Sequence, residues 1–213
     1  MNTDQLIEQL AREVRPVPRR SRTLRLALGV GAGGIVTLAV LALTIGIRPD
    51  LSAALRGFPF WMKWIYTVSL GIGAVAITAR LAQPEPVRLA RFWPIMLPFL
   101  LLAILGAIEL AHTPSRLWLD MWLSKTWKIC PWLVLALSTP IFVGLLWSFR
   151  KLAPTRLRAA GAAAGLTAGA WAAALYCLHC PEVSAIFVLT WYTLGIALAG
   201  GLGALIGPRL LRW

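Results

Sequence analysis

The residues of this chain best suited to do chemistry are its three cysteines and their polar neighbours. Cys177 and Cys180 flank Leu178 and His179, and Pro181 and Glu182 follow directly. A CxxC pair serves thiol–disulfide exchange or ligation of a soft metal, since both uses need two sulfurs within mutual reach. Cys130 stands before Pro131 at the start of one apolar stretch, and His112 stands at the end of another. Two or three thiolates with an imidazole suit zinc or another soft, heavy-metal ion. The candidate ligands are therefore the three cysteines, Cys130, Cys177 and Cys180, with His179, Glu182 and His112. A disulfide between Cys130 and either loop cysteine is the redox alternative, and small apolar residues filling helix ends are the plain one. No resident cofactor is otherwise indicated.

These residues are positioned by six long apolar stretches: Leu26–Ile47, Met62–Leu81, Phe92–Ala111, Pro131–Phe149, Leu157–Cys177 and Ser184–Gly207. Each holds roughly 18–24 residues, and about 20 residues of helix cross a hydrocarbon core of about 30 Å. The expected fold is an all-α integral membrane protein, a six-helix transmembrane bundle over residues 26–213. Hydrophobic residues make up 59% of the chain and charged residues 14%. Many of the 11 Trp fall near the expected helix ends, where an amphipathic ring prefers the headgroup level. The first stretch is too long for a signal-peptide core, and Arg48-Pro49-Asp50 follows it in place of a small-residue cleavage site.

The basic residues alternate in side. Most of the 21 Lys and Arg fall in the N-terminal tail, the second and fourth connections and the C-terminus. The other side receives Arg48, Arg56 and Lys63 in the first connection and Arg116, Lys125 and Lys128 in the third, leaving none inside a span. By the positive-inside rule both termini are cytoplasmic and all three cysteines lie at outer helix ends, in an oxidising compartment if the cell is Gram-negative. The net charge of +13 is thus a topology signal that also favours anionic lipid. No nucleic-acid-binding motif accompanies it.

Residues 1–25 form the one sizeable soluble segment. Asp4–Arg15 reads as a short amphipathic helix, with Leu6, Leu10 and Val14 every four residues and Ile7 and Ala11 beside them. Pro16 and Pro18 end it, and Arg15–Arg22 is expected to run on as an extended basic tether. So short a helix is marginal alone in water. Its stripe rests either on the bilayer or in a groove of a soluble partner, anchored by Leu6, Ile7, Leu10 and Val14.

Glu109, near the outer end of the third stretch, is either a functional intramembrane carboxylate beside His112 or a side chain that snorkels to the interface. Leu117–Trp127, with Asp120 among its tryptophans, reads as an interfacial helix. Gly29 and Gly33, Gly161, Gly165 and Gly169, and Gly203 and Gly207 are spaced for close helix packing within one molecule. There is no Ser-His-Asp set, P-loop, HExxH or dinucleotide fingerprint. No internal repeat stands out, which weakens a transporter reading.

The chain resembles the NrsF family of bacterial membrane anti-sigma factors over its full length. The resemblance is carried by the opening Asn2–Leu10 with Pro16-Val17, by Leu175–Glu182, by Phe187 with Trp191-Tyr192, and by the closing Ile206–Trp213. It implies an inner-membrane protein whose cytoplasmic tail sequesters an extracytoplasmic-function (ECF) sigma factor and releases it on a periplasmic metal or oxidant stress. It also implies that the sensing thiols are Cys130 and Cys180, with Cys177 an extra. An enzymatic alternative is a membrane thiol oxidoreductase of the DsbB or vitamin K epoxide reductase type. Such enzymes generally need two cysteine pairs, and this chain has 3 Cys. A small transporter is the other alternative, and neither reading fixes the oligomeric state.

Overall fold

The computed structural model describes residues 3, 5, 8, 19–82, 93–149 and 156–211, and every regular element among them is helical. Helix α1 spans Arg19–Thr44. The expected extended tether is therefore helical from Arg19 onward. Pro18 immediately precedes it, and a proline's fixed φ suits the opening of a helix. The expected amphipathic helix over Asp4–Arg15 falls, apart from Gln5 and Glu8, outside the described residues, and so do Leu6, Ile7, Leu10 and Val14.

Gly46 ends α1 in the left-handed region at φ 77, its N–H returning to the Leu41 carbonyl at 2.9 Å. Then follow α2 (Leu51–Ala54) and α3 (Phe58–Leu81), the latter opened by Gly57 with Pro59 in its first turn. Helix α4 is Met96–His112, α5 Trp118–Leu123, α6 Cys130–Phe149 and α7 Leu157–Tyr176. The last helix, α8, covers Ala185–Leu210 and contains a five-residue π segment, Val188–Tyr192.

Five of these helices are long and apolar enough to cross a membrane: Thr23–Thr44, Phe58–Leu81, Trp93–His112, Cys130–Phe149 and Ala185–Leu210. Helix α7, the remaining expected span, is as long but is built of alanine and glycine more than of leucine. Its place explains its composition. It packs on α8, α3 and α6 and is buried along most of its length. A helix surrounded by helices needs small side chains that admit close neighbours, not bulk that faces lipid.

The small-residue faces are used inside the bundle, as expected. Gly161 and Gly165 of α7 meet Gly203, Gly207 and Ala199 of α8 backbone to backbone, and Gly29 and Gly33 of α1 meet Gly144 and Ile141 of α6 in the same way. Polar side chains tie the same seams. Thr37 donates to the Leu137 carbonyl at 3.0 Å, and Thr78 and Thr167 share a buried hydroxyl contact of 2.9 Å.

Three expectations are corrected here. Lys63 is not in a connection. Gly57 and Pro59 start α3 four residues before the apolar run, so the lysine lies inside the helix and is 1% exposed. Glu109 neither snorkels nor joins His112, which is exposed. Its carboxylate instead accepts from the Ser184 hydroxyl at 3.1 Å and the Ala185 N–H at 2.8 Å, capping the start of α8. The interfacial helix over Leu117–Trp127 is shorter than expected, because Ser124 takes φ 47 and stops α5 at Leu123.

Candidate functional site: the thiol loop

Helix α7 ends in a tight turn in which the Cys177 N–H reaches Ala173 at 3.1 Å and the His179 and Cys180 N–H groups both reach the Tyr176 carbonyl at 3.0 Å. Pro181 cannot continue the helix. The resulting loop, 177–183, is where connections from across the bundle meet. His179 Nδ1 contacts the Gly46 carbonyl at 2.9 Å, and the Arg48 N–H donates to Leu178 at 3.1 Å. Lys63 Nζ donates to the carbonyls of Cys180 at 3.0 Å and Glu182 at 2.6 Å. The Glu182 carboxylate accepts from the Ser124 hydroxyl and, at 2.9 Å, from the Thr126 hydroxyl. Arg48 also forks onto Asp50 at 2.6 and 2.7 Å while reaching the Cys180 carbonyl at 3.4 Å. The hydrogen bonds from Arg48 hold the Asp50 carboxyl below the usual carboxylate range.

All three cysteines are free thiols and fully buried. Cys130, the first residue of α6, is buried in the same core as Tyr176, Cys177, Cys180 and Tyr192. Cys177 also donates to the Ala173 carbonyl at 3.3 Å. The Tyr176 and Tyr192 rings are 5.7 Å apart and close the cluster. Tyr192 arrives there from the π segment, whose wide turn also sends Trp191 outward onto Trp122 and Trp127. Segments of this kind are common at functional sites.

Of the residues expected to act on metals or oxidants, the fold gathers the thiols and separates the rest. Among the described residues no three His, Cys, Asp or Glu side chains form a group that could hold a metal ion. His179 is engaged by Gly46 and Glu182 by Ser124 and Thr126, while His112 ends α4 on the surface. What is assembled is a buried region that holds three free thiols and two phenols. Sequence reasoning missed Lys63, Tyr176 and Tyr192. The one available signal for Lys63 was a lysine directly between Met62 and Trp64 at the head of an apolar run.

Glu182 gives a direct test of the loop's anchoring. Hydrogen bonds to a charged group contribute about 1.5–3 kcal/mol each. Glu182→Ala is expected to free Ser124–Thr126 and raise amide hydrogen exchange there at least tenfold, leaving α7 protected. Unchanged exchange would mean that the carboxylate anchors nothing.

These features define a class, a helical membrane protein with buried thiols at the ends of two of its helices. Within it the family is specific. The chain belongs to the NrsF family, described as "Negative regulator of sigma F", which matches residues 10–213. It is 40% identical to the "Probable anti-sigma-F factor NrsF" of Azospira oryzae and 37% identical to the "Anti-sigma-F factor NrsF" of Caulobacter vibrioides, in each case across 100% of both chains. No solved structure matches it.

Proposed function

We propose that this protein is a bacterial inner-membrane anti-sigma factor, regulatory and not catalytic, that holds an ECF-type sigma factor and releases it when the thiols at its outer helix ends change state. The observation that carries this reading is full-length kinship with two proteins named as anti-sigma-F factors. Residues 1–25 form the sigma-binding segment, anchored by Leu6, Ile7, Leu10 and Val14, and residues 26–213 form the sensor. Counting α7 gives six spans and returns both termini to the cytoplasm, in keeping with the distribution of Lys and Arg.

The trigger is Cys130 with Cys180. Either the two thiols lose two electrons and two protons to an external oxidant and form a disulfide, or they exchange their protons for a thiophilic cation. Cys177 is the auxiliary thiol. The changed packing around α7 then lowers the tail's affinity for its partner.

The test is capture of the cognate sigma factor by full-length protein in lipid nanodiscs. Two buried anchors of about 2 kcal/mol each are at stake, and each 1.4 kcal/mol is a factor of ten. The double change Leu6→Asp with Leu10→Asp is therefore expected to weaken capture at least 100-fold. Undiminished capture would remove the tail from the mechanism.

A further inference from the structure

Lys63 is 1% exposed, and among the described residues its side chain bonds only to main chain. The acceptors are the Cys180 carbonyl at 3.0 Å and the Glu182 carbonyl at 2.6 Å. The lysine therefore reads the path of the loop backbone, whatever its side chains do. Glu182, the nearest carboxylate along that path, turns away to Ser124 and Thr126. A buried ammonium persists only while acceptors surround its three hydrogens. The loop after α7 supplies two of them, and the helix dipole favours a cation there. Lys63 is itself fixed from behind, since the Thr67 hydroxyl bonds its carbonyl at 3.0 Å.

We infer that Lys63 is the positioning residue of the thiol switch, pinning the Cys180–Glu182 backbone to α3 and passing a displacement of Cys180 into that helix. This rests on the thiol-triggered reading above. The Cys180 sulfur and the Cys180 carbonyl belong to one residue, so drawing the sulfur toward Cys130 turns the carbonyl that holds the ammonium. Lys63 must then follow the loop or lose a partner in a site closed to water. Helix α3 carries the movement inward along α7, to the buried Thr78–Thr167 contact near its other end.

The experiment compares the parent with Lys63→Met and Lys63→Arg as full-length proteins in nanodiscs. The first readout is the alkylation rate of each cysteine by N-ethylmaleimide, followed by peptide mass spectrometry. Lys63→Met is expected to speed modification of Cys180 at least tenfold while Cys130 changes less than threefold, and Lys63→Arg is expected to restore the parent rate. A Cys180 rate within twofold of the parent overturns the inference. So does equal acceleration at all three cysteines, which marks general loosening. The second readout is sigma capture with and without Cd2+. Lys63→Met is expected to lose the Cd2+ dependence, and parent-like release by this variant overturns the passage of movement through α3. If Lys63→Met does not fold, Lys63→Gln takes its place under the same criteria. The alkylation readout needs no sigma factor. It judges the pinning of Cys180 even where Cys130→Ser with Cys180→Ser leaves release intact and the thiol-triggered reading itself falls.

Discussion

Gly161→Leu is expected to abolish the folded bundle. The glycine lies on the backbone of Gly203 and Gly207, and Gly203 in turn lies on Gly161, so a side chain at either position would enter the space of a main-chain carbonyl. A flexible neighbour could turn aside, but a helix backbone can only separate. Overpacking commonly costs about 1–3 kcal/mol, and an immovable neighbour puts this case at or beyond the upper end. Against a total stability of about 5–15 kcal/mol, and with the whole α7–α8 seam opened, the variant should fail to give a cooperative unfolding transition in mild detergent. The controls are Gly34→Ala and Gly201→Ala, where nothing lies within 4 Å of the added carbon. Each is expected to be neutral or to gain about 0.5–1 kcal/mol from the better helix propensity of alanine. A Gly161→Leu protein that melts like its parent would mean that α7 and α8 do not cross as described.

The second large effect concerns the trigger. A strain carrying Cys130→Ser with Cys180→Ser is expected to lose at least nine-tenths of the response of a sigma-dependent reporter to cadmium, while unstressed repression persists. Serine is close to cysteine in size, so neither substitution opens a large void. The fold should therefore survive. What disappears is chemistry of sufficient magnitude. Moving a two-state protein from 1:99 to 99:1 takes about 5.5 kcal/mol, which thiolate–metal bonds supply and rearranged loop hydrogen bonds do not. Cys177 alone can form no intramolecular disulfide. A reporter response equal to that of the parent would end the role of these two thiols as the trigger.

The helical body could be read from the sequence because lipid selects for long apolar runs, and five described helices satisfy that requirement by length and composition. Helix α7 was legible by length and by the four-residue spacing of its glycines, although its apolar content is diluted by the small residues that let its neighbours approach. The thiol loop was legible as a CxxC beside a histidine and a glutamate. Its wiring was not. Glu182 reaches back 56 residues to Thr126, His179 reaches 133 residues to Gly46, and Lys63 reaches 117 residues to Cys180. No local period encodes such pairings. Lys63 was missed for a related reason. Whether a lysine counts as connection or as helix depends on where α3 begins, and Gly57 with Pro59 decides that. The pairing of Cys130 with Cys180 came from family resemblance, not from spacing.

The wide turn at Val188–Tyr192 places one residue more in its stretch than regular α winding would hold. Each residue rotates a helix by about 100°. Without the wide turn, that surplus residue would swing everything downstream round the axis, and Gly203 would no longer look toward Gly161. Tyr192 among the sulfurs and the glycine seam below it are thus phased to each other by one surplus residue, and the spacing between them is as much a part of the machine as either end.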